Sequence, residues 1–308
     1  MSKLRRIVKS VGLGELCGLF GKTRQAYYQH IEYEYRTQAS EAIILEIVYD
    51  IRKMMGKIGT RKLQRMINEI LPDDLRIGRD ALFDLLEREK LLIRSRNRRV
   101  RTTNSHHHFR KWPNLIRDLV ITSPNQLWVS DITYIKTSFG TLYLHLVTDA
   151  YSKKIVGWCL SSTLEAKHTI SALQMAMRNA GCDLSGLIHH SDRGCQYCCD
   201  KYVSILQANG ILISMTENGD PRENAIAERV NGILKTEWIN DETFTSTGQA
   251  IARVADIVGI YNNVRPHLSI NYLTPAQAHT MSGEMKRQWK NYYWTPSREA
   301  KTRRSSPI

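Results

Sequence analysis

The middle of the chain, from residue 127 to about residue 238, alternates between strand and helix periodicity. Its first three apolar runs have the composition of strands and are separated by tight turns, whereas later runs alternate with helical spacing. In chain order the predicted elements are strands at 127–135, 141–148 and 155–160, a helix at 165–180, a strand at 187–190, a helix at 200–209, a strand at 211–215 and a long helix from about 221 to 238. This order restricts the body of the chain to an α/β fold, with a mixed sheet flanked by helices.

Three carboxylates occupy different positions in this pattern. Asp131 lies inside the first strand, in W-V-S-D-I-T-Y-I, and Asp192 follows a later strand, in H-H-S-D-R-G-C-Q-Y. Glu228 lies on the last helix, in G-D-P-R-E-N-A-I-A-E-R, with thirty-five residues between it and Asp192. A carboxylate in an apolar strand is costly to bury unless it is paired or bound to a metal. Any one of these acids alone would more often be an ordinary surface or salt-bridged residue, but together they predict a catalytic triad.

Oxygen ligands of this kind suit magnesium or manganese better than zinc. The three acids are therefore predicted to be metal ligands as well as catalytic residues, holding two Mg²⁺ or Mn²⁺ ions. Two such ions can activate an attacking hydroxyl and stabilise the leaving oxygen of an in-line phosphoryl transfer.

The last helix is predicted to present two faces. The sequence has a strong helix start at Asp220, which is predicted to be the N-cap. Pro221 follows at the first helical position, and Glu223 completes a pattern like a capping box. One face carries the apolar residues Ile226, Val230 and Ile233, and another carries Asn224, Glu228, Asn231 and Lys235. Lys235 is placed to contact a phosphate. The residues near the three acids that are predicted to contact DNA are Asn224, Asn231 and Lys235 on this helix and Arg193 beside Asp192.

The net charge of +14 is unevenly distributed. Residues 1–118 carry 25 Lys and Arg against 14 Asp and Glu, whereas residues 119–295 carry 15 of each and the last thirteen residues four against one. A basic arm joined to a neutral, carboxylate-bearing body predicts nucleic-acid binding coupled to catalysis. A solvated basic surface without a partner is the alternative.

Short helices are predicted in the first third of the chain. Glu15–Phe20 and Arg24–His30 resemble a helix-turn-helix, with Thr23 as N-cap of the second helix. A second candidate has apolar residues at helical spacing over Ile43–Ile51, followed by a helix capped by Thr60. The basic residues of this region that are predicted to bind DNA include Arg24, Arg61 and Lys62.

The six cysteines have no disulfide-like spacing, which favours a reducing, intracellular compartment. Cys195, Cys198 and Cys199, with Cys182 as a fourth ligand, could suggest zinc, but inert thiols are the preferred interpretation. His106–His108, in the basic stretch before the strands, are not expected to bind metal. No apolar run reaches the roughly 18 residues of a membrane span, and the N-terminus lacks an export signal. The expectation is a cytoplasmic chain, associated with the bacterial nucleoid and not with a membrane.

The motifs around the acids, together with Y-N-N-V-R-P-H-L-S-I-N-Y-L-T-P-A-Q-A at 261–278, closely resemble the transposases of insertion-sequence family three. These are relatives of retroviral integrases, and the chain resembles the product of the second reading frame over roughly residues 40–280. The resemblance implies an RNase H-like catalytic core preceded by a helix-turn-helix region. It also implies metal-dependent cleavage at the ends of the element and strand transfer by a DNA 3′-hydroxyl.

The implied partners are the terminal inverted repeats and target DNA, further copies of the chain in the active complex, and an upstream-frame protein or fusion. The expected segments are a helical helix-turn-helix DNA-binding region (1–93), a basic linker (94–118), an RNase H-like integrase catalytic core (119–280) and a basic C-terminal tail (281–308).

Two other functions are compatible with parts of the sequence. A non-catalytic DNA-binding regulator derived from a transposase reading frame would explain the basic arm but not the complete set of acids. A metal-dependent nuclease acting on RNA hybrids would explain the acids but not the basic helical arm.

Overall fold

The computed structural model describes residues 11–93, 110–117, 119–217 and 224–284. Contacts divide the chain into two units, residues 1–97 and 98–308. Within the described ranges, no helix combines the length and the apolar character needed to cross a membrane.

The N-terminal unit is helical. Apolar side chains at helical spacing bury Leu63 and Ile67 of the third helix against Leu82, Leu85 and Leu86 of the fourth, all at most 2% exposed. The helices are α1 (Leu13–Leu19), α2 (Arg24–Met54), α3 (Thr60–Ile70) and α4 (Arg79–Arg88).

Helix α2 differs from its prediction, because one helix of 31 residues replaces the two shorter helical segments. The predicted N-cap is confirmed, since the Thr23 side chain accepts a hydrogen bond from the backbone of Ala26. The stretch between the two predicted segments contains no Gly or Pro, and ion pairs such as Arg36–Glu32 at 2.6 Å link successive turns. A capping role for Thr60 is wrong by one residue, because Gly59 is the N-cap of α3.

The second unit is built on a five-stranded mixed sheet, as the element order predicts. The strand order is β3-β2-β1-β4-β5, with β1 to β3 antiparallel and β4 and β5 parallel to β1. This arrangement is that of an RNase H-like domain. The elements are β1 (Leu127–Thr137), β2 (Gly140–Asp149), β3 (Ile155–Ser161), α5 (Ala166–Ala180), β4 (Ile188–Ser191), α6 (Cys195–Cys198), α7 (Asp200–Ala208), β5 (Leu212–Met215), α8 (Ala225–Glu237), α9 (Thr247–Asn263) and α10 (Pro275–Ala278).

Helix α9 was not predicted, although Ser246 caps it by accepting a hydrogen bond from the backbone of Gln249. At its other end, the Asn262 side chain both accepts from the nitrogen of Ile155 and donates to its oxygen, at 2.9 Å each. Helix α9 is thereby attached to the start of β3.

Helix α5 lies unusually close to the sheet at Gly157. A β-carbon added to Gly157 would lie 2.1 Å from the backbone oxygen of Ala172, so only glycine fits there. This close contact lets Leu173 and Ala176 of α5, both 0% exposed, pack with Trp128 in the main core of the unit.

Replacing Gly157 with Ala should therefore destabilise the protein by about 3 kcal/mol or more, because the backbone of α5 must move to admit a methyl group. The matched control is Gly259→Ala, inside α9, where an added β-carbon meets nothing within 4 Å. That control should be neutral or stabilising by up to about 1 kcal/mol, since alanine favours helix more than glycine does. Urea unfolding of both variants measures the difference, and equal stabilities would contradict the packing argument.

Candidate active site

The register of two neighbouring parallel strands brings the two aspartates together. Val129 of β1 pairs with His190 of β4. Asp131 and Asp192 each follow these partners by two residues, so continuing the register places them at the same level and on the same face of the sheet. The sheet therefore juxtaposes two carboxylates that are sixty-one positions apart in the sequence.

Asp131 is partly buried and has hydrogen bonds to both of its oxygens. Oδ1 accepts from the backbone nitrogen of Ile132 at 2.9 Å, and Oδ2 accepts from Nδ2 of Asn231 at 2.7 Å. Burial, the charge of Asp192 and, to a smaller extent, the charge of Glu228 nevertheless raise the pKa of Asp131 to about 7. The two hydrogen bonds oppose this shift without cancelling it. Asp131 is thus a carboxyl group that holds a proton near neutral pH.

Asp192 is oriented by the turn that follows β4. Its Oδ1 accepts a hydrogen bond from the backbone nitrogen of Gly194 at 3.0 Å. A β-carbon on Gly194 would lie 3.0 Å from the same oxygen, so glycine leaves room for this carboxylate.

Glu228 lies on the exposed side of α8, which packs against β1 and β2. Partial burial raises its pKa, and its charge contributes to the raised pKa of Asp131, so Glu228 lies close enough to act on that carboxyl group. Among the described residues, no three His, Cys, Asp or Glu side chains converge closely enough to hold a metal ion. Glu228 is the outermost member of the triad.

The polar face predicted for α8 is only partly exposed to solvent. Asn224 and Asn231 are 6% and 5% exposed, and Asn224 donates to the backbone oxygen of Ser130 at 3.0 Å while Asn231 binds Asp131. Their burial does not fit the predicted DNA contacts, because both amides instead hold α8 against β1. Lys235 is half-buried, and although desolvation lowers its pKa, the charge of Asp131 opposes that effect. Of the predicted packing residues, Val230 and Ile233 are buried and Ile226 is half-buried.

A buried polar cluster not predicted as a unit lies beneath the acids. Nε2 of His189 lies 2.8 Å from Oγ of Ser130 and 2.9 Å from the hydroxyl of Tyr202. Complete burial lowers the pKa of His189 to about 3, so the ring is neutral and serves a structural role. Tyr197 was also not predicted to lie near the acids. It does so, because the charges of Asp192 and Asp131 act together with burial to raise the pKa of its hydroxyl. Its place in the H-S-D-R-G-C-Q-Y motif was the available signal.

The remaining predicted DNA-binding residues fall into two groups. Arg193 is half-buried beside Asp192 in the second unit. Arg24 and Arg61 are exposed on the first turns of α2 and α3, and Lys62 follows half-buried, all in the N-terminal unit. The predicted helix start at 220–223 and the histidines at 106–108 lie outside the described residues.

Comparison with known families agrees with this fold and these motifs. The family described as "Integrase core domain" matches residues 121–221, and a second model with the same description matches residues 209–275.

Relatives extend the similarity over nearly the whole chain. A 31 kDa protein of insertion element IS600 from Shigella sonnei is 35% identical over 265 residues, covering 85% of this chain and 96% of the relative. The transposase of insertion sequence element IS629 from the same organism is 30% identical over 289 residues, covering 90% and 95%. Transposase InsF of IS3A from Escherichia coli is 35% identical over 164 residues, covering 53% and 57%.

Solved structures similar to this chain include the HTLV-2 integrase catalytic core domain in complex with magnesium. It is 21% identical and covers 51% of this chain and 97% of its own, with a TM-score of 0.41. The simian T-cell lymphotropic virus intasome is 19% identical and covers 78% and 77%, with a TM-score of 0.46.

The IS600 and IS629 relatives cover 85% and 90% of the chain, and the integrase-core matches coincide with the sheet and helices that carry the three acids. The chain therefore belongs to the IS3 family of DDE transposases, polynucleotidyl transferases of the integrase type that act in DNA transposition.

Proposed function

We propose that this chain cleaves DNA at insertion-sequence ends and joins those ends to target DNA by divalent-metal-dependent, in-line phosphoryl transfer. The observation that supports the proposal best is the parallel register of β1 and β4, which brings Asp131 and Asp192 close enough for the charge of Asp192 to act on Asp131, as the charge of Glu228 on α8 also does. We assign these three carboxylates as the catalytic metal ligands.

The donor set fits a hard divalent cation. All three ligands would be carboxylate oxygens, which Mg²⁺ and Mn²⁺ prefer. The repulsion that raises the pKa of Asp131 is the kind that a bound cation relieves, because the cation replaces the proton and neutralises both aspartates. Glu228 has an exposed side chain, which can change rotamer within nanoseconds and so turn toward the aspartates.

Two divalent ions at such a site would supply a hydroxide or alkoxide nucleophile and charge neutralisation at the leaving oxygen. The protein groups orient the reactants. The bonds from Ile132 and Asn231 fix the Asp131 carboxylate, and the Gly194 turn fixes Asp192. No covalent bond between protein and DNA is required.

We assign DNA phosphate contacts to Lys235 and Arg193 near the acids. Lys235 is half-buried and lies close enough to Asp131 for that charge to act on it. Its ammonium group is therefore near the acids and can contact a DNA phosphate without being fully removed from water. Arg24, Arg61 and Lys62 give the N-terminal unit a basic surface at two helix starts, which supports a separate DNA-binding role for residues 1–93.

Joining two ends of one element requires two active sites at one place, so we propose that the active complex contains several copies of this chain. Recognition of the terminal inverted repeats is assigned in part to an upstream-frame protein or fusion. A non-catalytic regulator remains the second candidate, which the basic N-terminal unit alone would support.

Glu228→Gln should abolish nicking of supercoiled DNA in the presence of Mn²⁺, at least about 1,000-fold, while leaving DNA affinity within about twofold. The amide keeps the shape of the side chain but removes the charge that binds a cation. Gel-based nicking and fluorescence-anisotropy binding assays of the purified chain separate the two effects.

Glu165→Gln is the matched control, because Glu165 is exposed at the start of α5 and lies outside the triad. It should retain parental nicking. Full activity of the Glu228 variant would refute the assignment. Binding without nicking by the parent chain, even with the upstream-frame protein supplied, would favour the regulator.

Asp131→Asn should stabilise the metal-free protein at pH 8 but hardly at pH 4. The pKa of Asp131 is raised from 3.8 to about 7 in the folded state, so the folded protein binds more protons and loses stability as pH rises from about 4 to 7. Asparagine removes this loss, a gain of roughly 2 to 4 kcal/mol at pH 8. Urea unfolding in EDTA measures it.

Asp256→Asn, on the exposed side of α9, is the control and should not reproduce this gain. Mn²⁺ should stabilise the parent at pH 8 but stabilise the Asp131 variant much less. If the free energy of unfolding changed by the same amount between pH 4 and pH 8 in the parent and in the Asp131→Asn variant, the raised pKa of Asp131 would be contradicted.

A further inference from the structure

An ion pair between a fully buried arginine and a glutamate whose side chain is 11% exposed lies at the end of α8. Arg265, 0% exposed, donates from Nε to Oε2 of Glu237 at 2.7 Å and from Nη2 to Oε1 at 2.5 Å. Its remaining nitrogen, Nη1, lies 3.0 Å from Nε2 of His267. The geometry is a two-pronged carboxylate–guanidinium pair, which fixes both distance and angle.

Charge at this position needs a specific partner. Glu237 is the last residue of α8, where the helix dipole disfavours a carboxylate. Burying an arginine without a partner would also be costly. Since the pair is often no more stabilising than apolar residues of the same volume, a geometric role explains it better than stability does.

Arg265 is itself held against the sheet. It follows α9, and the hydroxyl of Tyr261, one turn earlier, donates to the backbone oxygen of Lys153 at 3.0 Å. Asn262 binds both backbone groups of Ile155. The end of α8 is therefore linked through Arg265 to α9, and through Tyr261 and Asn262 of α9 to the turn between β2 and β3 and to the start of β3.

The Arg265–Glu237 pair holds α8 on a different side of the helix from its two hydrogen bonds to β1. Asn224 and Asn231 tie one face of the helix to β1. Glu237 follows Asn231 by six residues and Asn224 by thirteen, which at about 100° per residue places it roughly 120° to 140° around the helix axis from these two amides. Contacts on two sides of α8 define the rotation of the helix about its axis more closely than two hydrogen bonds on one side would.

We propose that Arg265 and Glu237 are positioning residues that set the rotation of α8 and thereby hold Glu228 toward Asp131 and Asp192. This inference rests on the proposed role of Glu228 as a metal ligand. It assigns a purpose to the R-P-H part of the 261–278 motif, which contains no triad acid.

The test uses the purified full chain with Arg265→Lys, which keeps the charge but loses the two-pronged geometry, and Glu237→Gln, which keeps the shape. Arg253→Lys is the matched control, because Arg253 also pairs with a glutamate, Glu242, but through a single oxygen and with a third of its side chain exposed. Calorimetric binding of Mn²⁺ alone, the Mn²⁺ concentration giving half-maximal nicking of supercoiled DNA, and the melting temperature are measured for each.

Arg265→Lys and Glu237→Gln should weaken Mn²⁺ binding and raise the half-maximal Mn²⁺ concentration about 10- to 100-fold, as loss of a supporting residue behind a metal ligand does. Excess Mn²⁺ should restore part of the nicking rate. Arg253→Lys should leave both values within twofold of the parent.

Folded variants with parental Mn²⁺ binding would overturn the inference, and so would equal shifts in the Arg265 and Arg253 variants. Failure of both Arg265→Lys and Glu237→Gln to fold would overturn it too, by showing that the pair serves stability. Glu228→Gln, measured alongside, separates the two levels. If it keeps parental Mn²⁺ binding and nicking, the proposed function fails, whereas if it loses both and Arg265→Lys does not, only the positioning role fails.

Discussion

The candidate site in the second unit depends on two carboxyl groups that the sheet holds close together. Asp131 lies on β1 and Asp192 follows the adjacent parallel strand β4, and burial together with the charge of Asp192 raises the pKa of Asp131 to about 7. Two carboxyl groups that repel each other stay close together only where the surrounding fold is rigid enough to hold them. The neutral His189 and the Ser130 and Tyr202 hydroxyls below the pair add no further charge.

The helix that carries Glu228 is bound to the same strand by its amides. Asn231 reaches the Asp131 carboxylate itself, so a displacement of α8 alters both the position of Glu228 and the hydrogen bonding of Asp131. Catalytic geometry and helix packing are consequently not separable here. This coupling explains why a helix face read from spacing as facing DNA instead faces the sheet at two of its four polar positions.

Much of the fold and the triad could be predicted because their signals are local. Strand alternation, the turn residues and the apolar context of Asp131 indicated the five strands and their order along the chain, whereas the order of the strands within the sheet was not predicted. The continuity of α2 and the burial of Asn224 and Asn231 could not be predicted as reliably. They depend on what packs against each residue, and spacing alone does not distinguish a polar side chain that faces solvent from one that satisfies a buried backbone oxygen. Arg265 illustrates the same limit, since nothing in its immediate sequence marks a fully buried cation.

The attachment of Asn262 to Ile155 also affects the margin of the sheet. β3 is an outer strand of the sheet, and the backbone groups of an outer strand are available to pair with a strand from another molecule. At Ile155 the side-chain amide supplies the donor and the acceptor that a neighbouring strand would otherwise supply. A single asparagine therefore occupies the backbone groups at the start of this edge, where a strand from another molecule would otherwise pair.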